Sequence, residues 1–101
     1  MNDKIYSLAE IKTLAVPIAA RHGVERLYLF GSYARGEATG KSDLDFRIDK
    51  GRVRNLLQLG SFLNDLEDAF QKKADVLTTQ MLSEEFLDSI RSEEILLYAQ
   101  A

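Results

Sequence analysis

The spacing of apolar residues predicts a long first helix at the start of the chain. A Ser-Leu-Ala-Glu capping box at 7–10 is followed by apolar residues at helical spacing, which predicts a helix over about 7–22. Gly23 is typical of the residue that ends such a helix. Pro17 lies inside it and lacks a backbone donor, so we expect a kink or a break near Thr13.

Two short segments then have the pattern of β-strands. The run Arg-Leu-Tyr-Leu-Phe at 26–30 is apolar and bounded by glycines, which predicts a buried strand. A segment rich in Gly, Ser and Thr follows, and its start at 33–35 resembles one turn of a short helix. Apolar residues then alternate with charged ones over 43–49, which predicts a second strand.

The second half of the chain predicts helix, strand and helix. Apolar residues at 53, 56, 57, 60, 63, 66 and 70 recur at the helical period, with Gly60 on the expected buried face. The β-prone segment 74–78 predicts a third strand, and Ser83 can cap a last helix. Residues 95–98 could continue that helix or form a short extended edge.

This order, α-β-α-β-α-β-α, predicts an α/β (α+β) fold with a small mixed three-stranded sheet and flanking helices. The 101 residues fit one domain, 1–101. The longest uncharged stretch has 10 residues and there is no basic leader, so we expect a cytoplasmic chain with no membrane segment. The absence of cysteine excludes thiolate sites, and a net charge of -3 argues against direct nucleic-acid binding.

Two aspartates on one strand form the first candidate site. Asp43 and Asp45 occupy alternate strand positions, so their carboxylates share a face and lie about 7 Å apart along the backbone. Their mutual repulsion would be relieved by a divalent cation, and carboxylate oxygens are the ligands that Mg²⁺ and Mn²⁺ prefer. The alternative is an exposed strand face with solvated acids.

A possible phosphate-binding turn precedes these aspartates. Gly31 and Ser32 close the first strand, and such a strand-to-helix turn points free N–H groups and a hydroxyl outward. Arg35 adds a positive charge, although glycine turns and a solvated arginine would explain the same residues. If the third strand runs parallel to the second, Asp75 could join the two aspartates in a two-metal site for phosphoryl or nucleotidyl transfer.

These residues resemble the minimal nucleotidyltransferases of the DNA polymerase β superfamily. The resemblance rests on Gly-Ser at 31–32, Ala-Arg-Gly at 34–36, Ser-Asp-Leu-Asp at 42–45 and the later Asp75. It implies a nucleotidyltransferase fold in which Asp43, Asp45 and Asp75 are the catalytic and metal-binding residues. It also assigns the nucleotide-binding residues, which are Gly31, Ser32, Arg35 and Ser42. The hydroxyl of Ser42 is expected to hold the loop before Asp43.

One residue departs from the family's pattern. Arg47 stands at a strand position that is usually apolar in relatives. This departure suggests that one face near the site is more exposed or contacts a charged group.

Small domains of this type are similar to the antitoxins of HEPN/MNT toxin–antitoxin pairs. The resemblance implies a Mg²⁺-dependent enzyme that transfers AMP from ATP to a tyrosine hydroxyl of a HEPN-domain ribonuclease toxin, with which it would form a hetero-oligomer. Two alternatives remain open. One is a binding module that blocks its partner without catalysis, and the other is nucleotidyl transfer to a small hydroxyl compound.

Overall fold

The computed structural model describes residues 2–101. The elements, in chain order, are α1 Leu8–His22, β1 Arg26–Phe30, α2 Gly31–Arg35, β2 Leu44–Asp49, α3 Leu56–Phe70, β3 Ala74–Thr78, a 3₁₀ turn Thr79–Met81, α4 Glu84–Arg91 and β4 Ile95–Ala99. No helix within this described range is long and apolar enough to cross a membrane.

The strands form one mixed sheet in the order β3-β2-β1-β4. β1 is antiparallel to both β2 and β4, whereas β2 and β3 are parallel, as the crossover through α3 predicts. The sheet has four strands and not the predicted three, because 95–99 pairs with the free edge of β1. Of the two possibilities for 95–98, the extended edge is therefore the one that forms.

Local capping defines the limits of α1 as predicted. The Ser7 hydroxyl accepts from the Glu10 amide, the Glu10 carboxylate accepts from the Ser7 amide, and Gly23 ends the helix with a φ of 73°. The predicted break near Thr13 is wrong, since α1 is continuous through Pro17. Proline removes a single hydrogen bond, and packing of the buried face offsets that loss. That face consists of Ile11, Ala15, Ile18 and Ala19.

The core lies between one face of the sheet and the helices α1 and α3. The predicted buried face of α3 is correct only in part, since Leu66 and Phe70 are buried as expected and Leu63 packs against the core. The helix begins at Leu56 after an Asn55 cap, Gly60 is exposed, and Leu57 is 84% exposed. The buried residues of α3 are Phe62, Leu66 and Phe70. The predicted stripe fails at Leu56, Leu57 and Gly60, whereas Phe62, which the stripe did not include, is fully buried in the core.

We predict that two leucines of α3 differ sharply in their contribution to stability. Leu66 is fully buried, so Leu66→Ala should lower the free energy of unfolding by about 2–5 kcal/mol through lost burial and a residual cavity. The matched variant Leu57→Ala should change it by less than about 0.5 kcal/mol. Chemical denaturation of both variants measures the difference, and similar losses would contradict this orientation of α3.

Candidate active site

Asp45 and Asp75 lie on the face of the sheet opposite α1 and α3, with the other candidate residues in the adjoining α2 and the loop before β2. Asp45 of β2 pairs with Phe30, the last residue of β1, and with Asp75 of β3. Asp45 is half-buried and Asp75 is exposed. β2 begins at Leu44, so Asp43 lies directly before the strand and not within it as predicted. The sheet register thus brings two predicted carboxylates side by side, with the third at the entry to β2.

The negative charge of Asp45 is unfavourable in this environment. Burial, followed by the charges of Asp75 and Asp43, raises the pKa of Asp45 from 3.8 to about 6, and only the positive charge of Arg35 opposes the shift. Within residues 2–101, no hydrogen bond or ion pair involves the side chains of these three aspartates. The site therefore has unpaired acceptor oxygens and excess negative charge.

The turn after β1 packs directly against Asp45. Gly31 has a φ of 76°, and a Cβ at this position would collide with the Asp45 carboxylate, so only glycine fits. The predicted short helix forms as α2, but it begins at Gly31 and not at Tyr33, so Gly31 and Ser32 belong to the helix and do not close β1 as expected. The Gly31 amide does not point into open solvent, because it donates to Glu93 Oε2 at 3.1 Å.

Arg35 lies at the end of α2 beside the same carboxylate. Its Nη1 donates to Glu93 Oε2 at 2.9 Å, and its Nε donates to Glu37 Oε1 at 2.8 Å. The side chain is 45% exposed, so the simple alternative of a solvated arginine holds only in part. The guanidinium is close enough to Asp45 to lower its pKa, which places a positive charge next to the aspartates.

Ser42 stabilises the loop that leads to Asp43, as predicted. Its hydroxyl accepts from the Thr39 amide at 2.8 Å. The buried Lys72 holds the same loop by donating to the Gly40 carbonyl at 2.6 Å. These contacts give Ser42 a structural role near the site.

Arg47 is buried against a carboxylate, so of the two predicted possibilities, exposure or contact with a charged group, the second is the one that forms. Only 7% of Arg47 is exposed. Its Nε and Nη2 donate to the two carboxylate oxygens of Glu94 at 3.0 and 2.8 Å, and its guanidinium stacks 3.9 Å from the ring centroid of Tyr28. This paired geometry offsets much of the cost of burying the charge.

Glu93 is the site residue that the sequence analysis missed. It lies in the turn between α4 and β4, 62 residues after Gly31 in the chain. No motif or periodicity singles it out, since it is one of two adjacent glutamates after a helix. Only the pairing of β4 with β1 brings this turn to the end of β1.

The side chains are not gathered around a single point. Across the described residues 2–101, no group of three or more His, Cys, Asp or Glu side chains is arranged to hold a metal ion. The oxygen donors are nevertheless of the type that Mg²⁺ prefers, and a dication would relieve the repulsion at Asp45. The donor set fits such an ion, although the aspartates would have to close around it.

Comparison with known proteins identifies the family. The polymerase β nucleotidyltransferase family matches residues 13–101. The chain belongs to this family. The predicted fold class and the predicted class of enzyme, a nucleotidyltransferase, are therefore confirmed.

Individual relatives agree with this assignment. A Methanocaldococcus jannaschii protein, named as a candidate protein adenylyltransferase, is 37% identical over 88% of this chain and 96% of its own length. A solved structure described as a candidate minimal nucleotidyltransferase is 31% identical, with a TM-score of 0.76 over 87% of this chain and 90% of that one. The fold also matches a complex of a tri-AMPylated Shewanella oneidensis HEPN toxin with an MNT antitoxin, at 14% identity and a TM-score of 0.68 over 88% of this chain and 70% of that one.

We predict that removing the charge of Asp45 stabilises the metal-free nucleotidyltransferase at neutral pH. Folding raises the pKa of Asp45 from 3.8 to about 6. Above pH 6, ionisation of Asp45 is therefore less favourable in the folded chain than in the unfolded chain, and this difference lowers the free energy of unfolding. Asp45→Asn should therefore raise the free energy of unfolding by about 1–2 kcal/mol at pH 7.5, after allowance for solvent screening. The gain should shrink as the pH falls below 6 and be small by pH 4.

Thermal and chemical unfolding in chelator-containing buffer measures this effect. Asp88→Asn is the matched control, because Asp88 is exposed on α4 and pairs, among residues 2–101, only with Arg91 at 3.4 Å. Its effect should stay within about 0.5 kcal/mol at both pH values. A gain for Asp45→Asn that does not depend on pH would contradict the electrostatic explanation.

Proposed function

We propose that this protein is a Mg²⁺-dependent protein adenylyltransferase that acts as the antitoxin of a HEPN-domain toxin. It transfers AMP from ATP to a tyrosine hydroxyl of that toxin and thereby neutralises it. The observation that carries the proposal is the alignment of Asp45 with Asp75 beside the Gly31 turn, with Asp43 at the entry to β2. The activity named for the M. jannaschii relative and the AMPylated toxin in the S. oneidensis complex support the choice of donor and acceptor.

The proposed roles follow from the position of each group. The Gly31 amide, the Ser32 hydroxyl and the Arg35 guanidinium bind phosphate oxygens of ATP, while Ser42 keeps the loop before Asp43 in place. Asp43, Asp45 and Asp75 would hold the metal, with Asp75 nearest to the acceptor. The chemistry that Mg²⁺ supplies in such a site is charge neutralisation on the phosphates and a lower pKa of the attacking hydroxyl.

The transfer itself makes one bond and breaks one. The tyrosine oxygen bonds to the α-phosphorus of ATP, the bond from that phosphorus to the bridging oxygen breaks, and pyrophosphate leaves. Asp75 is exposed on the open face of the sheet, where its carboxylate can receive the hydroxyl proton. Since this face is not covered by α1 or α3, an acceptor carried by another protein can reach it.

Partner and location follow from the same proposal. The acceptor and much of the cleft around it come from the toxin, so the working form is a hetero-oligomer of antitoxin and toxin. Residues 1–101 act as one nucleotidyltransferase unit, and the reaction takes place in the cytoplasm.

We predict that the label of α-labelled ATP, and not of γ-labelled ATP, becomes attached to the toxin in the presence of Mg²⁺. Asp43→Asn/Asp45→Asn should reduce the transfer at least about 100-fold, because the proposed metal-binding carboxylates are lost. Glu85→Gln/Asp88→Asn is the matched control, since it removes two charges from the exposed face of α4, and it should transfer at the wild-type rate. Autoradiography of the toxin and mass spectrometry of its tyrosines are the measurements.

The same assay separates the alternatives. If the aspartate double variant still binds and neutralises the toxin, neutralisation does not need catalysis and the protein acts as a blocking module. If the label appears on a small hydroxyl compound and not on protein, the proposed acceptor is wrong. Retention of label transfer by the aspartate variant would refute the assigned metal site.

A further inference from the structure

One carboxylate oxygen occupies the anion-binding groups of the Gly31 turn. Glu93 Oε2 accepts from the backbone amide of Gly31 at 3.1 Å and from Arg35 Nη1 at 2.9 Å. The Glu93 side chain is only 20% exposed, so it is inserted into the site and does not lie on the surface. An amide N–H and a guanidinium that converge on one oxygen are the donors that a phosphate oxygen also uses.

The fold holds Glu93 in this position through its neighbour. The amides of Glu93 and Glu94 both donate to the Ile90 carbonyl, at 3.0 and 2.8 Å, which shapes the turn at the end of α4. Glu94 is then held by both of its carboxylate oxygens on the buried Arg47. Glu93 is thereby directed towards the end of β1.

The same placement has an electrostatic cost. Glu93 adds a negative charge close to Asp45, which is already beside Asp43 and Asp75. Its attraction to Gly31 and Arg35 must offset this repulsion in the free protein. A triphosphate with its dication would bring a positive ion to the aspartates and phosphate oxygens to the two donors, so it would compete with Glu93 for both.

We propose that Glu93 is an internal competitor of the nucleotide. In the free chain its carboxylate occupies the place of a phosphate oxygen at Gly31 and Arg35, and it must leave that place before a nucleoside triphosphate binds. This inference rests on the nucleotide site of the proposed function and adds a regulatory step to it. Nucleotide binding then includes release of the turn at 92–94.

Calorimetric titration of the full chain with α,β-methylene ATP and Mg²⁺ tests the competition. Glu93→Ala and Glu93→Gln should bind the nucleotide about tenfold more tightly than the wild type does, because the nucleotide no longer has to displace the Glu93 carboxylate from Gly31 and Arg35. Glu93→Asp keeps the charge but withdraws the oxygen by one methylene, so it should also bind more tightly. Glu85→Ala removes the same charge from an exposed position of α4 and should bind like the wild type.

Several outcomes would overturn the inference. Equal or weaker binding by Glu93→Ala, with the wild type still binding, would make Glu93 a positioning residue and leave the proposed function standing. Tighter binding by Ala and Gln but not by Asp would indicate charge repulsion alone. No binding by any folded variant or the wild type would overturn both the inference and the nucleotide site of the proposed function.

A second measurement uses only the wild-type protein. Because the Glu93 and Glu94 amides are bonded to the Ile90 carbonyl, release of the turn should expose them. Saturating α,β-methylene ATP with Mg²⁺ should therefore speed hydrogen exchange several-fold in peptides that cover 92–95. Unchanged or slower exchange there, at a nucleotide concentration that saturates the protein, would contradict displacement.

Discussion

The register of the three central strands is the constraint on which this site depends. Antiparallel pairing of β1 with β2 sets the end of β1 opposite Asp45, and parallel pairing of β2 with β3 sets Asp75 on its other side. A shift of one residue would turn a carboxylate towards α1 and α3, where apolar side chains are fully buried. The hydrophobic core therefore enforces the alignment of the acidic residues on the opposite face.

The buried Arg47 fixes the main contacts on the face of the sheet opposite the apolar core. Its guanidinium lies between Tyr28 and Glu94 and is almost fully buried, so its removal would leave a buried carboxylate without its partner. Through Glu94 it anchors the turn between α4 and β4. Arg47 thus links the sheet to the segment that carries Glu93.

Prediction from the sequence was correct where the signal was local, and it was wrong where tertiary packing decided which residues are buried. The capping box at Ser7 and the alternation in β2 each span a few residues and were interpreted correctly. The buried face of α3 was predicted correctly at Leu66 and Phe70 but wrongly at Leu57 and Gly60, because all four positions fit one helical period. The predicted break of α1 at Pro17 did not form, since neighbouring packing holds the helix together across one missing hydrogen bond.

The sequence by itself determined the order of the elements up to α4 and the turn at Gly31, because each depends on residue types and spacings within a short segment. Only the tertiary structure decided that 95–99 forms an edge strand on β1 and that Glu93 reaches the Gly31 amide. Those contacts join residues that are about 60–75 positions apart, and no local pattern encodes them. Their formation depends on long-range packing, which follows from the whole chain and not from any one motif.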